Sequence, residues 1–398
     1  MNKIIFLSTR YLSETDLIRF GVNSYLKHNI SIEVWYLDKL VNRDYKTKKF
    51  RLKKRIKVRK ILTSTQLENQ VKKNISNCLY DLRLAYHIQN KGIFQLLSKY
   101  NINYSIQVRS PVELYRDNFK LRNYFKYLFK KITTGKFFHL KNFLLNKIFL
   151  MFDPNFWNIN KARYVYLVGK YAYLNRNKHK LIDENTRLIL SQHKNYDDYL
   201  RVNKKKYKRK EKKVLFIDQG TPYHPDLTEL GLSDINSDEY YFSVKKFLEK
   251  LKEEFGFKIE ISCHPKFEPR KLKKYFPDFI IKSGDTINQI RCSKLIINHA
   301  STAMNFAVIY KKPIIFITNN SLNSSAHPFY EVINTMAALL DKECINIDNN
   351  PSIDIAKYLK INKKAYSDYY TNFIKFKGPN KLQAEIIIKK LKRDRFWI

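Results

Sequence analysis

Short apolar runs rich in β-branched residues stop, one after another, at polar clusters that open helical segments, and a chain patterned this way folds as parallel strands covered by helices. The second half shows the pattern most regularly. A strand over 214–217 precedes an amphipathic helix over 240–255 that stops at Gly256, and a strand over 258–262 follows. A short helix over 285–292, a strand over 295–297, a helix over 301–310 and a strand over 313–318 continue the series. The first half alternates in the same way, with strands expected over 4–7, 32–36, 58–62, 104–108, 164–168 and 188–190. At 398 residues the chain is too long for one core. The expected architecture is α/β, with two Rossmann-like domains facing across a cleft. They span 1–202 and 214–360, joined by a basic linker over 203–213 and followed by helices over 361–398 that can pack back on the first domain.

Lysine and arginine number 76 against 36 aspartate and glutamate, so the chain carries +40 and is drawn to an anionic surface or substrate. Nucleic acid, acidic lipid and acidic glycan all fit that description. Part of the excess is compositional, since Lys, Asn and Ile are abundant throughout. The run 203–213 has almost nothing to bury; no Gly-rich or aromatic nucleic-acid module accompanies it, so it reads as an exposed linker. Residues 119–150 carry eight Lys or Arg and no Asp or Glu, interleaved with Phe and Tyr. Such a segment fits an interfacial helix on anionic lipid, and equally a helical pair packed on the domain with its lysines in water. The four cysteines show neither CxxC spacing nor a dense framework, which fits a reducing compartment. The first residues lack the apolar core and cleavage site of a signal peptide and read as a buried strand. No stretch approaches the ~20 apolar residues of a membrane-spanning helix.

Ligands of open parallel sheets bind outside the carboxyl ends of the strands, and a helix N-terminus can hold a phosphate through free N–H groups. Two clusters fit: Cys263-His264-Pro265-Lys266, and Asn298-His299-Ala300-Ser301-Thr302-Ala303. Pro265 bars helix continuation, so the His264 imidazole sits in a loop where it can donate to a phosphate oxygen, and Lys266 adds positive charge. Ser301 and Thr302 fall at the N-cap and first turn of a helix, where capping and phosphate binding are compatible. Asn298 and His299 share that turn and can reach ribose, base or phosphate. Asp218-Gln219-Gly220 ends the first strand of the second domain, with Gly220 permitting a sharp turn and close ligand approach; an ordinary βα turn is the alternative. Ser324 and Ser325 follow a later strand and can hold donor sugar or ribose. On the first domain Glu14, Asp16, Glu113 and His193 are candidates for the base that deprotonates an acceptor hydroxyl, each with a surface charge or helix cap as its alternative. The P-loop, dinucleotide and zinc-protease motifs are missing, as is an Asp-x-Asp. The expected site has no metal: His, Lys, hydroxyls and a helix dipole neutralise the leaving phosphate.

His264-Pro265 followed by Ser301-Thr302 resembles the motifs of bacterial GT-B glycosyltransferases that use CMP-activated sugars, the sialyltransferase-like and capsule or lipopolysaccharide transferases. The resemblance covers the C-terminal half. It implies that His264, Pro265, Ser301 and Thr302 bind the CMP phosphate and the cytidine ribose. Asp218-Gln219-Gly220 is similar to the family's acidic D/E-D/E-G motif except that Gln219 replaces the second acid, and it implies Asp218 as base. The implied partners are a donor nucleotide sugar, held by 214–360 with no further cofactor, and a glycan or lipid-linked glycan acceptor, held by 1–202. The implied reaction transfers a nonulosonic, sialic-acid-like sugar with inversion. The expected location is the cytoplasmic, inner face of the membrane, on its anionic surface, and no nucleic acid is involved. Glycerophosphate transfer from CDP-glycerol and sugar transfer from a UDP-sugar are the enzymatic alternatives, and a basic nucleic-acid-binding protein is the non-enzymatic one.

Overall fold

The computed structural model describes residues 2–10, 12–41, 56–110, 137–202, 213–223, 235–264, 267, 269–325 and 327–396. The chain forms two compact units. One combines the described parts of Met1–Ser110, 137–197 and Lys375–Ile398, and the other comprises Asp198–Ile374.

The first unit holds a seven-stranded sheet of β1 (Lys3–Ser8), β2 (Ser31–Tyr36), β3 (Ile56–Lys60), β4 (Cys78–Leu82), β5 (Tyr104–Val108), β6 (Tyr164–Val168) and β7 (Arg187–Ser191), in the order β3-β2-β1-β4-β5-β6-β7. Every neighbouring pair is parallel. Strands buried on both faces read as continuous apolar runs, and alternate residues feed opposite cores. Thus Ile5 and Leu7 join Trp35 and Tyr80 on one face, whereas Ile4 and Phe6 join Tyr25 and Val34 on the other. The edge strand β3 is displaced from its expected span of 58–62. Pairing with β2 sets its register at Ile56, opposite Ile32, and Ile61 is buried just beyond it. Its Lys57, Arg59 and Lys60 charge the free edge and discourage pairing with another chain.

The core on the Ile4 face is completed from far away in sequence. The helix Gln383–Arg393 contributes Ala384, Ile387, Ile388 and Leu391 to it. A Cβ on Gly21, which has φ +80°, would lie 2.3 Å from Ala384 Cβ, so only glycine lets the helix approach. Asp197 accepts from the backbone N–H of Gln383 at 3.1 and 3.2 Å, and Gln192 Nε2 donates to the Lys381 carbonyl at 2.7 Å.

The second unit holds a six-stranded sheet of β8 (Lys213–Ile217), β9 (Lys258–Cys263), β10 (Ile280–Ser283), β11 (Leu295–Asn298), β12 (Ile314–Thr318) and β13 (Cys344–Asn346), in the order β10-β9-β8-β11-β12-β13. All its pairs are parallel. Counted from β8 this is the doubly wound order 3-2-1-4-5-6, whose direction reverses between β8 and β11. The first sheet makes the same reversal between β1 and β4. Lys213 belongs to β8, where its ammonium is buried 2.5 Å from Glu260; the rest of the expected linker, 203–212, lies outside the described residues. The helix Ser237–Phe255 starts earlier than expected because Asn236 caps it, accepting from the N–H groups of Asp238 and Glu239, and it ends at Gly256 with φ +62°. No helix among the described residues is long and apolar enough to cross a membrane.

Candidate functional site

The reversal between β8 and β11 sets two strand ends beside each other, with β9 next to β8. Side chains tie the three following loops together. Gln219, just past β8, accepts from the Ala300 N–H through Oε1 at 3.1 Å and so joins the β8 and β11 loops. Gly220 turns with φ +62° against the Phe267 ring, which would stand 2.5 Å from an added Cβ. Phe267 in turn packs on the His264 ring at 5.5 Å and donates its N–H to the His264 carbonyl at 2.9 Å, closing the β9 loop. The half-buried His264 imidazole therefore belongs to the same loop cluster as Gly220 and Ser301. Pro265 and Lys266 lie outside the described residues, and so does Glu113.

Beyond β11 the backbone makes a tight turn before it becomes helical. The helix begins at Met304, with Ala303 rather than Ser301 at its cap. The later start follows from local bonding: the Ser301 hydroxyl accepts from the Ala303 N–H at 3.3 Å, and the Ser301 and Thr302 carbonyls accept from Met304 and Asn305. Ser301 is half-buried and Thr302 exposed. Asn298 is enclosed; its amide donates to the His299 carbonyl at 3.0 Å, while its Oδ1 is buried without a partner. Ser324 and Ser325 end the helix Asn320–Ser325, which follows β12.

His299 is enclosed in the core. It is 0% exposed, with Nδ1 2.7 Å from the Ile317 carbonyl and Nε2 2.7 Å from the Tyr240 hydroxyl. A carbonyl only accepts, so Nδ1 carries the proton and Nε2 accepts from Tyr240. Burial pushes the imidazole down to about 4, and the neutral ring fits both bonds. It therefore positions the β11 loop instead of reaching a ribose, base or phosphate.

Asp218 is 1% exposed beneath the Gly220 turn; Tyr241 Oη donates to its Oδ1 at 3.5 Å, and its Oδ2 has no partner. Burial raises the carboxyl to about 7, opposed by hydrogen bonds from the Gly220 backbone and Tyr241. That value is matched to proton transfer at neutral pH. Among the described residues, no group of three His, Cys, Asp or Glu could hold a metal ion.

On the first unit, Asp16 is committed to a capping box: its Oδ2 accepts from the Ser13 N–H at 2.9 Å and from the Ser13 hydroxyl at 2.7 Å, and the Ser13 hydroxyl accepts from the Asp16 N–H. Glu14 is exposed in the same first turn. His193 accepts from the Asn195 N–H through Nδ1 at 3.2 Å. Burial, then the positive charges of Arg109, Lys194 and Arg19, push it down to about 3, too low for an efficient base at neutral pH. Two residues organise the cluster in ways their sequence positions do not announce, Gln219 and Phe267. Gln219 reads as a defective acid until its bond to Ala300 is seen, and nothing in the spacing of Phe267 points to Gly220.

No protein-family model matches the chain, and no curated protein matches it. Among solved structures, Phytolacca americana UGT2 complexed with UDP-2fluoro-glucose and pterostilbene aligns over 99% of this chain and 99% of its own, at 9% identity and a TM-score of 0.51. UDP-N-acetylglucosamine 2-epimerase from Rickettsia bellii aligns over 100% of this chain and 96% of its own, at 11% identity and a TM-score of 0.48. With the two sheets, the first likeness gives this chain a GT-B-like fold of two Rossmann-like domains.

Proposed function

We propose that the chain is a glycosyltransferase that moves a sugar, a nonulosonic acid of the sialic type, from a CMP-activated donor to a bacterial surface glycan. One observation carries the reading: the linked β9, β8 and β11 loops at the reversal of strand order, where doubly wound sheets take their ligands. In the proposed reaction the acceptor hydroxyl oxygen attacks the anomeric carbon and inverts it as the bond from that carbon to the CMP phosphate oxygen breaks. The hydroxyl proton passes to Asp218, for which the Gly220 turn must open. His264 and the hydroxyls of Ser301 and Thr302 donate to the departing phosphate, so this step routes through no metal.

Thermal denaturation with CMP, UDP, CDP and GDP tests the donor. At a hundredfold excess over its Kd, a ligand that binds only the native state adds about 2.7 kcal/mol, so CMP raises Tm by several degrees. Stabilisation by UDP and not by CMP overturns the CMP donor. It would establish a second reading, a UDP-sugar donor, which the UDP-2fluoro-glucose bound to Phytolacca americana UGT2 favours.

A lipid-linked acceptor on the inner face of the membrane would call for an interfacial surface. The helix Phe137–Met151 offers one: Leu144, Leu145, Ile148 and Met151 are exposed, as are Phe152 and Phe156 beyond it. Phe149 points the other way, fully buried against Tyr86 and Trp157. Anionic phosphatidylserine vesicles should therefore sediment the protein, and Ile148→Glu should weaken binding about tenfold by setting a charge in the apolar face. Equal sedimentation of both proteins removes the membrane reading.

A further inference from the structure

We infer that the first domain carries an anion site for the acceptor, in which the Arg83 and Arg109 guanidinium groups take a carboxylate or phosphate. The inference rests on the glycosyltransferase reading only in naming the occupant an acceptor.

Arg83 follows β4 at the reversal of the first sheet, and its N–H donates to the Leu7 carbonyl of the neighbouring strand at 2.8 Å. Its guanidinium is fixed on two sides. Nε and Nη2 each lie 2.8 Å from an Asp81 carboxylate oxygen, and the group lies 4.1 Å from the centre of the Phe20 ring. Nη1 points to Gln107 Oε1 at 3.4 Å. Arg109, just past β5, donates to that same oxygen through Nε at 3.3 Å and Nη2 at 3.2 Å. Two cations thus converge on one neutral amide oxygen, which accepts from both and neutralises neither.

Asp81 balances Arg83, but no ion pair among the described residues joins Arg109 to a carboxylate. Burial and then the Arg83 charge disfavour the charged form of Arg109, and Asp16, the acid whose field opposes them, is held in the Ser13 capping box. The position of Arg109 is also fixed. The neighbouring Ser110 hydroxyl donates to the Val168 carbonyl and accepts from the Ala172 N–H, both at 2.8 Å, pinning the end of β5 to β6. Asp81 is 1% exposed, so its carboxylate holds the Arg83 guanidinium in one orientation from a buried position. Beyond these bonds each guanidinium keeps further N–H donors at the carboxyl end of the parallel sheet, and these can meet the oxygens of a carboxylate or phosphate.

Phenylglyoxal labelling of the full chain, mapped by mass spectrometry, tests the site directly. Inorganic phosphate or glucuronate should slow adduct formation at Arg109 by about tenfold, and Arg109→Gln should abolish anion protection at Arg83. Protection by phosphate alone assigns a phosphorylated acceptor; protection by glucuronate assigns a sugar acid. Failure of both, or equal protection by chloride at matched ionic strength, overturns the inference. Since removing Arg83 alone orphans a buried carboxylate, a paired Asp81→Asn, Arg83→Gln variant serves as the second probe, and unchanged protection at Arg109 in it also overturns the joint site. The donor reading is scored separately: if CMP fails to stabilise the protein while Arg109 is still protected, the donor assignment falls and the anion site stands.

Discussion

Replacing His264 by alanine is expected to lower kcat by about 10²- to 10³-fold while the protein stays folded, the size of effect seen when one preorganised donor to a developing negative charge is removed. The imidazole is half-buried in a closed loop, and truncating it leaves the Phe267-to-Gly220 contact in place. Circular dichroism and Tm should therefore match the parent protein while single-turnover transfer collapses. Parallel measurement on Asp218→Asn separates the two roles. The carboxyl titrates near 7, so removing it should erase the rise of rate with pH through that value, whereas His264→Ala should lower the rate at every pH. Unchanged turnover in His264→Ala would falsify its place at the leaving phosphate.

The second large effect is on stability. His299→Ala should destabilise the protein by about 3–5 kcal/mol, through a cavity and through the stranded Ile317 carbonyl and Tyr240 hydroxyl. The effect should depend on pH. The folded value near 4 lies below the ~6.5 of an unfolded histidine, so the neutral ring contributes its full share above pH 6.5 and loses it as pH falls toward 4. That share is roughly 3 kcal/mol. His193 acts in the same direction, with its own value near 3. Asp218 opposes both: its raised value favours the folded state below ~3.8, and that contribution is lost as pH rises through about 7. The whole-protein curve therefore mixes signs, and the comparison that matters is parent against variant. Their difference in Tm should shrink between pH 7.5 and pH 4.5; a constant difference sinks the picture of a buried neutral imidazole.

His264 and His299 look alike in the sequence. Both follow a strand, and both sit among polar residues. Burial separates them, and burial at a strand end depends on what the neighbouring helix supplies, here Tyr240 from Ser237–Phe255. Strands such as β8 and β12, covered on both faces, are legible because they leave runs with almost no polar residue, whereas β4, interrupted by Asp81, and the short edge strands β10 and β13 are not among the expected strands. β3 lies two residues before its expected span because an edge strand has no such run and takes its register from β2. Contacts between strands adjacent in space and distant in sequence could not be seen at all. Gln219 on Ala300 and Arg83 on Gln107 are both of this kind.

The helix Gln383–Arg393 also bears on how the protein is made. Domains commonly fold in the order they leave the ribosome, amino-terminal first. Here one face of the first sheet, covered in part by Leu17, Val22 and Tyr25, is completed only when Ala384, Ile387, Ile388 and Leu391 have been synthesised, after the whole of Asp198–Ile374. The unit translated first is thus the last to be sealed, and in the interval its Ile4, Phe6 and Val34 face is a natural client for a chaperone.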